Sequence, residues 1–502
     1  MTKTTGQEPL RARRAGRPGS PRRVSGKEPH TPWHLVFAAL LLLVLAIPAV
    51  LLVVPGFTGP AAAPPAPAPP AWQQAPATIA APQVLAPLRQ SAPVPAPTVV
   101  AAQVDPVLKT DGGGTFTGMV QDAFTGQVLF DRGGADGRVP ASNLKLLTAV
   151  AALRTLGPDR RFTTKVVQGP AAGQVVLVGG GDVLLAAGGS QPEQVMGHAG
   201  LATLAARTVQ ALQAARTTGD ITVLVDDSLF TGPALNPNWQ SGDVEAGEIA
   251  PLYPLALNSA RFDPAVTTGP RPQDSAITAA EAFAAQLRAA GAAAGLTVAA
   301  GVERSAGASQ ANPAVLAAVE SATVAEQVDL MLQVSDNYLA ETMGRLAAVA
   351  TGRPGSNDGA VAVVADEVRA AGIPADTLKL ADVCGLAMGN QVPARLFVDV
   401  LRAITTGADT RLRAALDGFP VGGLSGTLDA RYGDATTFGG AGLVRAKTGT
   451  LNTVLGLSGY VVDADGRLLV FSFIGNGLTP GAAGNKEALD RAATVLAGCG
   501  CR

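Results

Sequence analysis

From Trp33 to Val54 the chain carries no charged side chain, and the run LVFAALLLLVLAIPAVLLVV inside that window is apolar almost throughout. Twenty-two residues of helix rise about 33 Å, enough to cross the hydrocarbon core of a bilayer. Residues 33–54 are therefore predicted as an N-terminal transmembrane helix, which Pro48 would kink without excluding. Eight basic residues against two acidic ones in residues 1–28 place a disordered basic tail, residues 1–32, in the cytoplasm and everything after Pro55 outside. The alternative is a secretion signal cleaved near Ala61-Ala62-Ala63. Residues 55–105 are dominated by Pro and Ala and predict an extended, semi-rigid stalk.

Beyond the stalk the pattern turns globular. Residues 116–120 and 127–130 read as a strand pair turning through Thr125-Gly126. Pro140 then opens an apolar helix through Leu146, Leu147, Val150, Leu153 and Leu156, which Gly157-Pro158 stops. A strand at 175–178, a helical stretch around Leu201, Leu204 and Leu212, and a strand at 221–225 predict an inserted α/β domain over residues 163–249. The glycines at 179–181 lack the spacing of a phosphate-binding loop and read as a tight turn. Residues 276–290 are Ala-rich and helical. Thr323 and Glu326 stand in capping-box spacing ahead of Val324, Val328 and Met331, a helix that ends at Ser335-Asp336-Asn337. Helical character resumes over 339–349, 360–371 and 393–404. Strand-like runs at 442–446, 453–462 and 468–473, the last two joined at Asp465-Gly466, precede a closing helix at 486–497. If the first strand pair joins the last three runs, residues 106–162 and 250–502 form a five-stranded antiparallel sheet with helices on both faces.

The formal net charge of −1 hides an asymmetry, because the first 28 residues carry +6 and the remainder −7. A mildly acidic globular part excludes nucleic acid as its natural partner. Cys384, Cys499 and Cys501 are too few for a disulfide framework, and the last two read as free thiols on a frayed tail. No Cys/His spacing suggests a metal site. His30 and His34 precede the globular part, leaving His198, which has no motif around it and reads as a surface residue.

With histidine set aside, an activated serine needs another base, and lysine serves when burial or a neighbouring cation lowers its pKa. In Ser142-Asn143-Leu144-Lys145 the hydroxyl and the amine lie three residues apart on one helical face. Ser335-Asp336-Asn337 and Lys447-Thr448-Gly449-Thr450 follow, each where secondary structure changes. Lys447 on a facing strand would supply the second cation.

This ordered triplet resembles that of penicillin-recognising acyl-serine transferases. The longer segments PASNLKLLTAVAALRTLGPDRRFTT, LVGGGD, VDDSLF, SDNYLAE, GLSGTLDARY and AKTGTLNTVLGLSGYV are similar to the D-alanyl-D-alanine carboxypeptidase/endopeptidase family, peptidase S13 or class C penicillin-binding proteins, over residues 110–498. The resemblance implies an α/β (α+β) fold with a β-lactamase/transpeptidase-like sheet, hydrolysis of peptidoglycan stem peptides, covalent inhibition by β-lactams, and no metal or organic cofactor. It implies that Ser142 attacks, that Lys145 takes its proton, and that Ser335, bonded to both lysines, relays a proton to the leaving amine. Asn337 would bind the substrate amide, Lys447 and Thr448 its terminal carboxylate, and the N–H groups of Ser142 and Thr450 the oxyanion, with Gly449 between the last two.

The family pattern D-G-S-G-L-S reads Asp382-Val383-Cys384-Gly385-Leu386-Ala387 here, so two small hydroxyls are lost. The interval between Ser142 and Ser335 is short for the family, and the anchor and stalk are additions to it. A serine β-lactamase and a non-hydrolytic cell-wall binding protein of the same fold are the competing readings.

Overall fold

A computed structural model of the chain describes residues 88–305 and 313–500. The expected basic tail, the anchor at 33–54 and the first part of the stalk lie outside them. Among the described residues no helix is long and apolar enough to cross a membrane.

The last part of the expected stalk is helical. Pro97–Val107 forms a helix with Pro at its start, where a missing N–H costs nothing. Val100, Val104 and Leu108 recur every fourth position and are buried in one core with Phe471 and Leu489. The stalk boundary at 105 is therefore corrected: a Pro/Ala-rich composition concealed a helical stripe of valines.

Two five-stranded sheets carry the architecture, in a mixed α/β fold. The first has the order β2-β1-β10-β9-β8, every pairing antiparallel. Its strands are β1 (Thr115–Asp122), β2 (Val128–Arg132), β8 (Arg445–Leu451), β9 (Val454–Val462) and β10 (Leu468–Asn476). The N-terminal strand pair does join the three C-terminal strands. Period-2 alternation sorts β10 between two cores. Leu468, Val470 and Ile474 face the helical core around the Lys145–Thr155 helix, whereas Leu469, Phe471 and Phe473 face the helices Pro97–Val107 and Ala483–Ala497. Strand β8 begins later than the predicted 442–446, because Gly442 takes a positive φ of 73° in the preceding turn. All of Lys447-Thr448-Gly449-Thr450 thus lies within the strand, at the sheet edge.

The second sheet has the order β6-β5-β4-β3-β7. It comprises β3 (Thr163–Gln168), β4 (Gln174–Val178), β5 (Asp220–Asp226), β6 (Thr297–Arg304) and β7 (Val315–Glu320), with β4, β5 and β6 mutually parallel. The helices Leu201–Ala214 and Ser275–Ala292 pack on it. The predicted insertion at 163–249 is therefore too short, since its sheet takes strands up to Glu320. Thr-Val-Ala-Ala-Gly-Val-Glu-Arg in β6 is an edge strand with one fully buried position, and such a small-residue run carries no alternating signal. Between the two passes, Leu252 and Ala256 return to the main helical core while Leu255 faces the inserted one. The tail differs too: Cys499 is buried and disulfide-bonded rather than a free thiol, and Cys384 is buried and free.

Burial makes the first correction testable. Val104→Ala should lower stability by about 2 kcal/mol in urea unfolding, from lost methyl burial and the void left behind. Thr98→Ala, on the exposed face of the same helix, should stay within about 0.5 kcal/mol of the parent.

Candidate active site

Ser142 lies in a tight turn, Ala141–Leu144, that runs directly into the helix Lys145–Thr155. Ala141 enters that turn with φ at 48°, a left-handed conformation that costs a residue bearing a β-carbon about 1–2 kcal/mol. Its neighbours leave it no alternative. A β-carbon at Gly385 would fall 2.0 Å from the Ala141 carbonyl oxygen, and one at Gly449 would fall 2.9 Å from that of Pro140 and 3.3 Å from the Ser142 nitrogen. The nucleophile turn is thus pressed between the 381–387 loop and strand β8. Asn143 pins it from below: its amide donates to Ser458 Oγ at 2.8 Å, which lies 2.7 Å from Ser472 Oγ on β10.

Lys145 is fully buried. Its Nζ lies 2.9 Å from Ser142 Oγ, 2.6 Å from Asn337 Oδ1 and 2.8 Å from the Cys384 carbonyl oxygen. The amide oxygen and the carbonyl can only accept, so two amine hydrogens are committed to them. The third position faces the one partner that can also donate, the Ser142 hydroxyl. Burial holds the Lys145 pKa below the usual lysine range, although nearby Cys384, Asp382, Asp336 and Glu341 act in the opposite sense. Lys447 is also fully buried, donating to the Thr448 carbonyl at 2.9 Å. Burial, and after it the charge of Lys145, pushes its pKa well below the ordinary value. Thr448 Oγ1 lies 2.7 Å from Thr427 Oγ1, and Thr450 is exposed on the strand edge.

The middle motif spans a break between helices. Val324–Gln333 starts with the expected capping box at Thr323 and Glu326, and Asn337–Ala350 starts from an Asp336 cap on the Leu339 N–H. Ser335 makes that turn with φ at 59°. Asp336 is fixed by Ser259 Oγ at 2.8 Å and Arg261 at 2.9 Å, the former from Asn258-Ser259-Ala260, where all three φ values are positive. Asn337 joins the first motif through Lys145 and donates to the Glu248 carbonyl at 3.0 Å, so its amide is committed within the protein. Ser335 differs from expectation, for no hydrogen bond among the described residues joins its hydroxyl to either lysine. The lysines bond instead to Ser142, Asn337, Cys384 and Thr448.

Two buried carboxyl groups behind Lys145 have no role predicted from the sequence, although Glu341 ends the SDNYLAE segment and Asp382 opens the 382–387 loop. Glu341 accepts the Val383 and Cys384 N–H groups, each at 2.8 Å. Asp382 accepts from Trp239, Cys384, Gly385, Ala387 and Asn390. Glu341, Asp382 and Cys384 bring ligand atoms within 4.8 Å of one another, yet the five donors on Asp382 make the cluster a hydrogen-bond knot. His198 is remote in role: its Nε2 lies 2.8 Å from Arg161 Nη1, beside the inserted sheet.

Gly385 can be tested against a control. Gly372 also has positive φ but open space beyond it, so Gly372→Ala should cost about 1 kcal/mol from backbone conformation alone. Gly385→Ala adds a backbone collision and should cost at least about 2 kcal/mol more in the same denaturation assay.

The chain is similar to known proteins over most of its length. The model of the D-Ala-D-Ala carboxypeptidase 3 (S13) family matches residues 100–278 and 267–497. A carboxypeptidase of Mycobacterium tuberculosis is 37% identical over 441 residues, 87% of this chain and 90% of the relative. Carboxypeptidase DacB of Mycolicibacterium smegmatis is 36% identical over 474 residues, 93% of this chain and 97% of its own. Penicillin binding protein 4 of Haemophilus influenzae shares the fold, with a TM-score of 0.62 at 20% identity over 80% of this chain and 98% of that one. Matched along nearly all of its described length, the chain belongs to the D-Ala-D-Ala carboxypeptidase 3 (S13) family.

Proposed function

We propose that the protein is a serine-type D-Ala-D-Ala carboxypeptidase/endopeptidase that cleaves peptidoglycan stem peptides through an acyl-serine intermediate, with Ser142 as nucleophile and Lys145 as base. The observation that carries this reading is the desolvated Lys145 amine, whose remaining position faces the Ser142 hydroxyl at 2.9 Å. Ser142 Oγ adds to the carbonyl carbon of the penultimate D-alanine as its proton passes to Lys145. The N–H groups of Ser142 and Thr450 take the oxyanion, at about 3 kcal/mol per donor. The carbon–nitrogen bond breaks as the leaving amine takes the proton from Lys145. Water, deprotonated by the same amine, then attacks the ester and frees Ser142.

Substrate carboxylate recognition falls to Lys447 and Thr448. A buried amine whose pKa is depressed gains its proton most easily when an anion arrives to share it, so carboxylate binding and Lys447 protonation reinforce each other. The edge position of β8 offers unpaired backbone groups to which an extended peptide can add. Asn337 would reach the substrate amide by releasing the Glu248 carbonyl. β-Lactams, as cyclic amides, acylate Ser142 in this scheme without providing a departing amine, so the adduct persists. The uncharged 33–54 segment supports an anchor that holds the catalytic part outside the cytoplasmic membrane, where its substrate lies.

D-Alanine release from a muropeptide pentapeptide tests the reading. The parent protein should release it and gain the mass of penicillin on Ser142, and Ser142→Ala should lose at least about 10³-fold in rate. Unchanged release by Ser142→Ala would overturn the assignment, and rapid nitrocefin turnover would point to a β-lactamase. The pH dependence has a definite sign. Burial favours the neutral amine, so the acylation rate should climb with pH as Lys145 loses its proton, below the ordinary lysine range.

A further inference from the structure

Asn337 and Glu341 stand one helical turn apart and project from the same face of the helix Asn337–Ala350. Asn337 meets the Lys145 amine directly at 2.6 Å. Glu341 meets the loop behind it, where Oε1 accepts the N–H groups of both Val383 and Cys384 at 2.8 Å. The carbonyl of that same Cys384 receives Lys145 Nζ at 2.8 Å. Thr148, one turn along the helix from Lys145, donates to the Val383 carbonyl at 2.5 Å and closes the frame. A four-member chain thus runs from the Ser142 hydroxyl through an amine and the backbone of Cys384 to a carboxyl group that no solvent reaches.

The other oxygen, Glu341 Oε2, is buried without a hydrogen-bond partner. A carboxylate there is poorly stabilised; burial, and next the charge of Asp382, pushes Glu341 up to about 7. The groups facing it are Lys145 from the helix Lys145–Thr155, Asp382 and the Cys384 thiol from the loop, and Arg345 one turn further on its own helix. Arg345 makes no direct ion pair with Glu341 but feels its charge, while donating to the Pro233 carbonyl at 3.2 Å and lying 5.5 Å from the Phe230 ring centre. Glu341 therefore acts on two cations, on Arg345 along its own helix and, with Cys384, Asp382 and Asp336, on Lys145.

We propose that Glu341 is a positioning residue for the Ser142–Lys145 pair: through the backbone of Cys384 it orients the Lys145 amine, and its charge shifts the pH at which that amine becomes a base. This rests on the nucleophile and base assigned above. An ionised Glu341 favours the ammonium form of Lys145 and opposes the effect of burial, whereas a neutral group leaves burial unopposed. Replacing the acid by an amide keeps an oxygen for the two N–H groups and removes the charge. Replacing it by alanine removes both.

The test measures the second-order rate constant for labelling of the full chain by a fluorescent penicillin, from about pH 5 to about pH 10. In Glu341→Gln the acid limb should move to lower pH by about one unit relative to the parent. Glu341→Ala should lose about 100-fold at its plateau, with most of the loss restored in the Gln variant. Circular dichroism confirms that each variant is folded before it is compared. An acid limb in Glu341→Gln that superposes on the parent's would overturn the proposal. Labelling that survives in Ser142→Ala would instead show that the nucleophile assignment is at fault, so the two failures are distinguishable.

Discussion

A primary amine held away from water loses much of its claim on a third proton, and the rest of this site is arranged around that loss. Lys145 sits at the first turn of a helix whose apolar residues, Leu146, Leu147, Val150 and Leu153, are all fully buried, so the helix cannot shift without opening the core. Its two fixed partners, an asparagine oxygen and a peptide carbonyl, are neutral acceptors. A carboxylate in either place would hold the ammonium form and leave Ser142 without a base. Carboxyl groups are present, in Glu341 and Asp382, but their hydrogen bonds go to backbone N–H groups of the 383–387 loop rather than to the amine.

The two halves of the fold serve this arrangement differently. The first sheet is covered on both faces, and its edge strand β8 presses Gly449, next to Lys447 and Thr448 in the strand, against the turn at Ser142. Asn143, Ser458 and Ser472 tie that turn to the sheet interior. On the other side, the break between two helices at Ser335 delivers Asn337 to Lys145, and the break is held by Ser259 and Arg261 from the segment linking the second sheet to the first core. Three consecutive positive φ values at 258–260 are expensive, of order 1–2 kcal/mol each. Their location beside Asp336 accounts for their presence, since the strained turn aims the Ser259 hydroxyl at the helix cap.

What could be read in the sequence was whatever depends on local order. Ser142 and Lys145 are three apart where a tight turn runs into a helix, Thr323 and Glu326 form a capping box, and β1, β9 and β10 alternate or run apolar in the ordinary way. What escaped depends on tertiary environment. Val100 and Val104 were masked by surrounding Pro and Ala, and β6 and β7 by their small residues. Glu341 and Asp382 were visible as letters, yet nothing in periodicity reveals that a carboxyl group is buried and bonded to backbone N–H groups. Ser335 was expected to touch both lysines, and the hydrogen bonds of those amines go elsewhere. The boundary of the inserted sheet failed for a similar reason, because the chain returns to the first core around Leu252 before completing the second.

The central claim is that the amine beside Ser142 is a base because it is buried. Its most direct measurement is the titration of Lys145 itself, by carbon–nitrogen NMR of protein carrying lysine labelled at Cε and Nζ, with the signal assigned by its loss in Lys145→Arg. Lys145 should titrate clearly below the ordinary lysine value of about 10.4. A Lys145 signal that titrates at or above that value would contradict it.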